Sequence, residues 1–319
     1  MHANWIFWLI FNVFVLAMLA LDLGVFHRKG HVIGFREAMG WTSFWIGLAA
    51  LFAVLIYFFG HSLIPHPTRP NSQLTLEFVT GYIIELSLSI DNLFVFLLIF
   101  RYFSVPQEHQ REVLSWGVIG ALIMRAVFIV AGIALLDRFH WVVYIFGAIL
   151  VYSGIKLIRQ HGADIHPETN PLLRVFRKFF RLTKDYHDGS FFVRRGGLWY
   201  ATPLALVLIV VETTDVLFAV DSIPAVLAVT REPFIVYTSN VFAILGLRSL
   251  FFALSGMLER FHLLHYGLSV ILIFIGVKML ISDYVDVPTY VALAGVAAVL
   301  LVSVVLSLIV PERLKAVGQ

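Results

Sequence analysis

Two apolar runs long enough to cross a bilayer carry carboxylates in their middles. Gly81–Phe94 (GYIIELSLSIDNLF) holds Glu85, Asp91 and Asn92, and Val210–Pro224 (VVETTDVLFAVDSIP) holds Glu212, Asp215 and Asp221. An ionisable group at membrane depth is costly and rare unless it faces a partner, a cavity or an ion. Five acids in two such runs therefore restrict the chain to a helical bundle whose interior answers their charge.

Composition agrees with a membrane bundle. Of 319 residues, 60% are hydrophobic and only 13% charged, with a mean hydropathy of +0.90. Soluble domains carry about 25% charged residues, and about 20 apolar residues span the hydrocarbon core. Nine spans are predicted, at residues 5–26, 39–60, 77–101, 113–136, 141–158, 199–228, 234–257, 264–282 and 288–310. The fold class is an all-α polytopic transmembrane bundle. Nothing basic precedes the first run, so it is expected to be a retained helix rather than a cleaved signal.

Lys and Arg sit unevenly between the predicted loops. Sixteen fall after spans 1, 3, 5, 7 and 9, eight of them in 159–198, whereas only Arg69, Arg138 and Arg231 occupy the alternate loops. Positive residues mark the cytoplasmic side. That places the N-terminus outside and the C-terminus in the cytoplasm of a multi-pass protein.

The chain repeats itself. Asp137–Tyr144 (DRFHWVVY) aligns with Glu259–Tyr266 (ERFHLLHY), and Gly154–Ile158 (GIKLI) with Gly276–Leu280 (GVKML) at the same offset. Arg125 falls opposite Arg248 with one residue's difference in spacing, and the pair Glu85, Asp91, six apart, opposite Asp215, Asp221. Each unit holds three spans, 77–158 and 199–282, flanked by two N-terminal spans (1–76) and a last span with a short tail (283–319). Three is odd, so the second unit enters from the opposite side. Inverted repeats of this kind place a transport site near the midplane, at their interface.

The acidic residues define the expected chemistry. Glu212 and Asp215 are at i, i+3 and share a helix face, as do Ser87 and Asp91 at i, i+4. Glu85 and Asp91, six apart, point about 120° from each other on an unbroken helix. Local unwinding near Pro224 and the Ser89, Asn92 and Ser222 groups would bring them together and expose backbone oxygens. Arg125 and Arg248 are the expected counter-ions, and five acids against two arginines leave a surplus that calls for protons or cations. Carboxylate, amide and hydroxyl oxygens from Glu85, Asp91, Asn92, Glu212, Asp215, Asp221 and Ser222 suit a hard divalent cation. None of the twelve histidines lies in the two stretches, and there is no cysteine, which excludes thiolate ligands and disulfides from this chain.

Other polar residues have plainer expectations. Asn240 serves as a helix–helix hydrogen-bond partner and Ser87 as a support; Lys156 and Lys278 snorkel from span ends. Asp22 is solvated or paired with Arg28, and Glu77 sits at the outer interface. Gly117, Gly120, Gly147 and Gly154 read as close-packing positions. Segment 159–198 reads as a linker around one short helix, Leu172–Leu182, with Arg174, Arg177, Lys178 and Arg181 on one face. That face suits the anionic cytoplasmic leaflet. Nothing in the chain supports a nucleic-acid partner, and protein partners are left open.

The motifs Glu85…Asp91-Asn92, Glu212…Asp215…Phe218–Ala225 (FAVDSIPA) and Thr238–Arg248 (TSNVFAILGLR) resemble the TerC family of integral membrane proteins. The resemblance runs from about Thr80 to Ile281, and Phe191–Pro203 looks closest to its bacterial Alx-like branch. It implies a LysE-like transporter fold and manganese export through the acids of the two motif helices. It also brings the labels of tellurium resistance and redox modulation. No prosthetic cofactor and no enzyme activity are expected; Mn²⁺ is the implied cargo and protons the implied counter-flow. Two other readings stay open: a non-transporting membrane scaffold of a stress-response complex built on 159–198, and an exporter of small organic cations. A redox enzyme fits worst, for want of thiols or a cofactor fingerprint.

Overall fold

The computed structural model describes residues 3–26, 34–64, 69–159, 173, 176, 178, 180–183, 186, 189–195, 197–255, 263–285 and 287–309. Its helices are α1 (Ala3–Phe26), α2 (Phe35–Leu63), α3 (Asn71–Tyr102), α4 (Gln107–Arg138), α5 (Val142–Arg159), α6 (Pro203–Leu227), α7 (Pro233–Leu245), α8 (Leu247–Leu254), α9 (Leu264–Leu280) and α10 (Thr289–Ile309). With α7 and α8 counted as one span, nine apolar helical spans lie within the described residues, seven of them long enough by themselves to cross a membrane. The nine expected spans are all present.

Proline sets several boundaries. Pro70 and Pro106 precede α3 and α4, and Pro203 and Pro233 open α6 and α7. At a first helical turn the missing N–H costs nothing and the fixed φ is already helical. The α7–α8 span breaks at Gly246, whose missing side chain lets the turn seat against Trp45 of α2; an added Cβ would lie 3.3 Å from the Trp45 Cβ.

The expected unwinding at the acids is absent. α3 and α6 are each one continuous helix, and Pro224 is accommodated in the last turn of α6. Six residues along an unbroken helix advance about 9 Å and rotate about 120°. Glu85 and Asp91 therefore meet different neighbours, and this one fact shapes the site.

Packing between the two helix triplets is paired. α3 lies along α7, and at the corresponding place α6 lies along α4, while α5 and α9 pack on each other for most of their length. Glycine makes that last approach possible. A Cβ on Gly147 would sit 2.9 Å from the Gly276 carbonyl oxygen, and one on Gly154 would sit 2.7 Å from that of Ser269. In the repeat alignment Gly154 matches Gly276 and Gly147 matches Ser269. Exchanging the triplets thus carries one contact onto the other, as a two-fold relation requires.

Outside the triplets, α1 and α2 join through an aromatic cluster in which Phe11 and Phe52 touch Phe234 and Phe242 of α7. α10 covers α9 and α3, with Gly267 of α9 admitting Ser303.

Segment 159–198 differs from expectation. It contributes a small sheet, β1 (Arg181–Leu182), β2 (Phe192–Arg195) and β3 (Leu198–Ala201), in the order β1-β3-β2. β2 and β3 form a hairpin turning at Gly197, whose φ of +82° favours glycine. β3 occupies residues assigned from sequence to the sixth span, so that span starts at Pro203. Arg181 lies in a strand, not on the expected helix; Lys178 is helical and exposed, and Arg174 and Arg177 lie outside the described residues.

Candidate cation site

The five acids do not form one cluster. They divide between a buried ion-paired layer and an open cavity, as the 120° rotation along α3 dictates. Among the described residues no group of three or more His, Cys, Asp or Glu is close enough to hold a metal by itself.

The buried layer centres on Arg125 of α4, which is 3% exposed. It is ion-paired with Glu85 of α3. Its Nη1 also donates to Asn240 Oδ1 of α7 at 3.0 Å, and Asp215 of α6 is near enough to feel its charge. Ser89 Oγ donates to Glu85 Oε1 at 3.3 Å. One guanidinium thus joins α3, α4, α6 and α7. The compensation is partial: Glu85 Oε2, Asp215 Oδ1 and Arg125 Nε are buried without a hydrogen-bond partner among the described residues. Asn240 acts between helices, as expected.

Glu212 stands apart from both groups. Its half-buried carboxylate lies against Gly120 of α4, where any side chain would overlap it. It is also close enough to Asp215 for their charges to repel. Ser87 takes no part: its hydroxyl donates to the Ile83 carbonyl oxygen of its own helix, at 2.5 Å.

The cavity holds the other two acids. Asp91 and Asn92 of α3, Ser153 and Lys156 of α5, and Thr214, Asp221 and Ser222 of α6 line a space of about 360 Å³. Tyr152, Leu217, Phe218 and Leu272 supply an apolar wall. Asp91 and Asp221 occupy equivalent places in the two triplets, so the paired packing brings them to one chamber. Ser153 Oγ donates to Asp221 Oδ1 at 2.6 Å. Asn92 Nδ2 and Ser222 Oγ are buried and have no hydrogen-bond partner among the described residues. Other buried atoms in the bundle, such as Trp45 Nε1 and Asp215 Oδ1, share that state, and what distinguishes Asn92 and Ser222 is that they line the chamber beside the two acids. Turning the Asn92 amide over would present its oxygen instead of its nitrogen.

Several expectations need correction. Arg248 is not a counter-ion to the membrane acids. It pairs with Asp22 of α1 at 2.8 Å and donates to Ser115 of α4 at 2.7 Å. At the offset that matches Gly154 with Gly276, Arg125 falls on Leu247, so Arg248 stands one residue further on and about 100° round the helix. Asp22 is accordingly buried and answered by Arg248 rather than solvated. Glu77 is only 1% exposed; it accepts from Arg69 at 2.5 Å and from Thr230 at 2.6 Å. Lys156 does not snorkel away but lines the cavity, with its charge acting on Asp221. Lys278, its repeat counterpart, donates to the Ala228 carbonyl oxygen at 3.3 Å. Sequence reasoning passed over Ser153 and Lys156 as site residues. Their i, i+3 spacing on one face of a span was the available signal.

Comparison with known proteins agrees with this organisation. The profile described as the integral membrane protein TerC family matches residues 71–315. An uncharacterized membrane protein from Myxococcus xanthus is 48% identical over 303 residues, covering 95% of this chain and 92% of its own. Alx from Escherichia coli (strain K12), named as a proposed membrane-bound redox modulator, is 46% identical over 299 residues, covering 93% and 92%. A Rickettsia bellii membrane protein is 39% identical over 302 residues. No solved structure matches the chain. With a profile spanning both acidic helices and relatives this similar along nearly the whole length, the chain belongs to the TerC family of integral membrane proteins.

Proposed function

We propose that this protein exports a divalent cation, Mn²⁺ foremost, across the bacterial inner membrane in exchange for protons. One observation carries the reading. Asp91 and Asp221, from equivalent places in two continuous helices, share a chamber with two unpartnered buried polar side chains, Asn92 and Ser222. Their oxygens, with those of Ser153 and Thr214, form a hard donor set suited to Mn²⁺, Mg²⁺ or Ca²⁺ and poor for soft metals. The choice of Mn²⁺ among these comes from the family resemblance.

Size supports the reading. Six waters occupy about 180 Å³ at roughly 30 Å³ each, so the chamber of about 360 Å³ admits an ion with much of its hydration shell. Carboxylates bind metal only when deprotonated, so loading the cation releases protons. The buried Arg125 layer beside the chamber pairs Glu85 and lies within reach of the charge of Asp215, leaving Asp91 and Asp221 for the exchange. Rocking of one triplet against the other gives alternating access in proteins built from inverted repeats. The redox role in the name of a relative would find no thiol here, since the chain has no cysteine.

The test is Mn²⁺ flux in everted membrane vesicles under an imposed proton gradient. Wild-type protein should accumulate Mn²⁺, and Asp91→Asn and Asp221→Asn should abolish accumulation. Absence of wild-type flux, or full flux in both variants, overturns the reading.

A further inference from the structure

Lys156 is the one cation among the cavity-lining residues, and the transport reading so far gives it no task. It is exposed at the chamber, on the same face of α5 as Ser153, whose hydroxyl holds Asp221 at 2.6 Å. Its charge acts on Asp221. Gly147 and Gly154 seat α5 closely on the backbone of α9, with no room for a methyl group. The Lys stem itself is long and flexible, with three rotatable donors and no acceptor. Rotation about its χ angles alone carries the ammonium toward or away from the carboxylate.

We propose that Lys156 is a tethered competitor for the cargo: its ammonium neutralises Asp221 when the chamber is empty, and an arriving divalent cation displaces it. Three consequences follow from charge alone. The empty chamber is not left with two uncompensated carboxylates, so part of its negative charge is offset before cargo or protons arrive. The bound cation is repelled by the displaced ammonium, which weakens binding and speeds release. Monovalent ions, with half the charge, displace the lysine less well, so the residue selects for divalent cargo. Lys278, the counterpart of Lys156, is held to Ala228 at the C-terminal end of α6 and is not in the chamber. The competitor is therefore on one triplet only.

The inference rests on the transport reading, and the experiment separates the two. Mn²⁺ uptake into everted vesicles is measured against Mn²⁺ concentration for wild type, Lys156→Gln and Lys156→Arg. Removing a unit charge about 6 Å from a divalent ion in a water-filled chamber, at a dielectric of about 80, should lower KM about tenfold. In Lys156→Gln the maximal rate should fall at the same time, because release slows. Lys156→Arg, which keeps the charge, should stay within about twofold of wild-type KM. A merely structural lysine would lower the rate in both variants and leave KM unchanged. Wild-type flux with an unchanged or raised KM in Lys156→Gln overturns the inference and leaves the transport reading standing. Wild-type protein that moves no Mn²⁺ overturns both.

Discussion

Arg125 of α4 and Glu85 of α3 are ion-paired inside the bundle, with no more than 3% of either side chain exposed. Asn240 and Asp215 share the same guanidinium, so four helices meet on one charge. Removing that charge strands two carboxylates in an apolar interior. Arg125→Met should cost about 3–5 kcal/mol, as breaking one side of a buried pair does. The loss is read as a fall in thermal midpoint and in folded yield after detergent extraction. Replacing Glu85 and Asp215 together by Gln and Asn in the Arg125→Met background should recover part of it.

Asp91 and Asp221 behave differently because they face a chamber instead of a permanent partner. Asp91→Asn and Asp221→Asn should keep the wild-type thermal midpoint within a few degrees while losing Mn²⁺ transport. Adding Mn²⁺ to purified wild-type protein should raise its midpoint, by about 2.7 kcal/mol of stabilisation at a hundredfold excess over Kd. Either variant should lose that response. An Mn²⁺-induced shift that survives in both places the ion elsewhere.

The number of spans, their approximate ends and the pairing of acidic residues were legible in the sequence because hydropathy and repeat matching are local properties. Which acid meets which partner was not. It depends on whether α3 stays helical through Glu85–Asp91, and polar residues such as Ser89 and Asn92 suggest unwinding equally well. α3 stays helical there, and Arg125 meets the charge of Glu85 from a neighbouring span, so no backbone N–H has to be freed to answer it. Arg248 misled for a different reason: it stands one residue beyond the place that the repeat offset gives Arg125, which turns it about 100° round its helix. The sheet of 181–201 was hidden by the basic, aromatic character of that segment, which suits a surface helix equally well.

Asp22 and Arg248 tie α1, which lies outside the two triplets, to α8 within the second. Both are buried, so their pairing should show strong coupling. Asp22→Asn and Arg248→Met should each lower stability markedly, and the double variant should lose less than the sum of the two. A coupling of about 0.5–3 kcal/mol in the double-mutant cycle is expected for groups in contact. Mn²⁺ KM should be unchanged in whichever variants remain folded. Strict additivity, or an altered KM, would show that Arg248 belongs to the chamber after all.

The transport and scaffold readings part at segment 159–198, which lies between the triplets. A scaffold built on this segment would fail when its exposed basic groups are neutralised and would tolerate loss of the membrane acids. A transporter should show the reverse. Lys178→Gln with Arg181→Gln, both exposed, should leave Mn²⁺ flux within about twofold of wild type, since surface charges far from a chamber act weakly through solvent. The same pair of changes should reduce binding of the purified protein to anionic vesicles if those groups meet a charged leaflet, at about 1 kcal/mol per residue. Flux that collapses in this variant, with Asp91→Asn fully active, favours the scaffold.

Glu232 caps α7 just outside its span, half-buried beside Glu77. Burial holds its carboxyl above the ordinary carboxylate range and repulsion from Glu77 adds to this, against the pull of Arg69 and the Phe234 N–H. An acid whose proton is held more tightly in the folded chain stabilises the fold most at low pH. That contribution falls as pH rises from the ordinary carboxylate value through the raised one, and is level beyond it. Glu232→Gln removes the loss, so its thermal midpoint should exceed wild type at pH 8 and the gap should close toward pH 4. The gain should be small, below about 1 kcal/mol, because solvent screens a group this exposed. Arg69→Gln should act oppositely, deepening the loss at pH 8 by removing the one cation that restrains both Glu77 and Glu232. Thermal melts of the detergent-solubilised protein at pH 4, 6 and 8 check both signs. A Glu232→Gln gap that is the same at all three values would mean that the carboxyl titrates alike in the folded and unfolded chain.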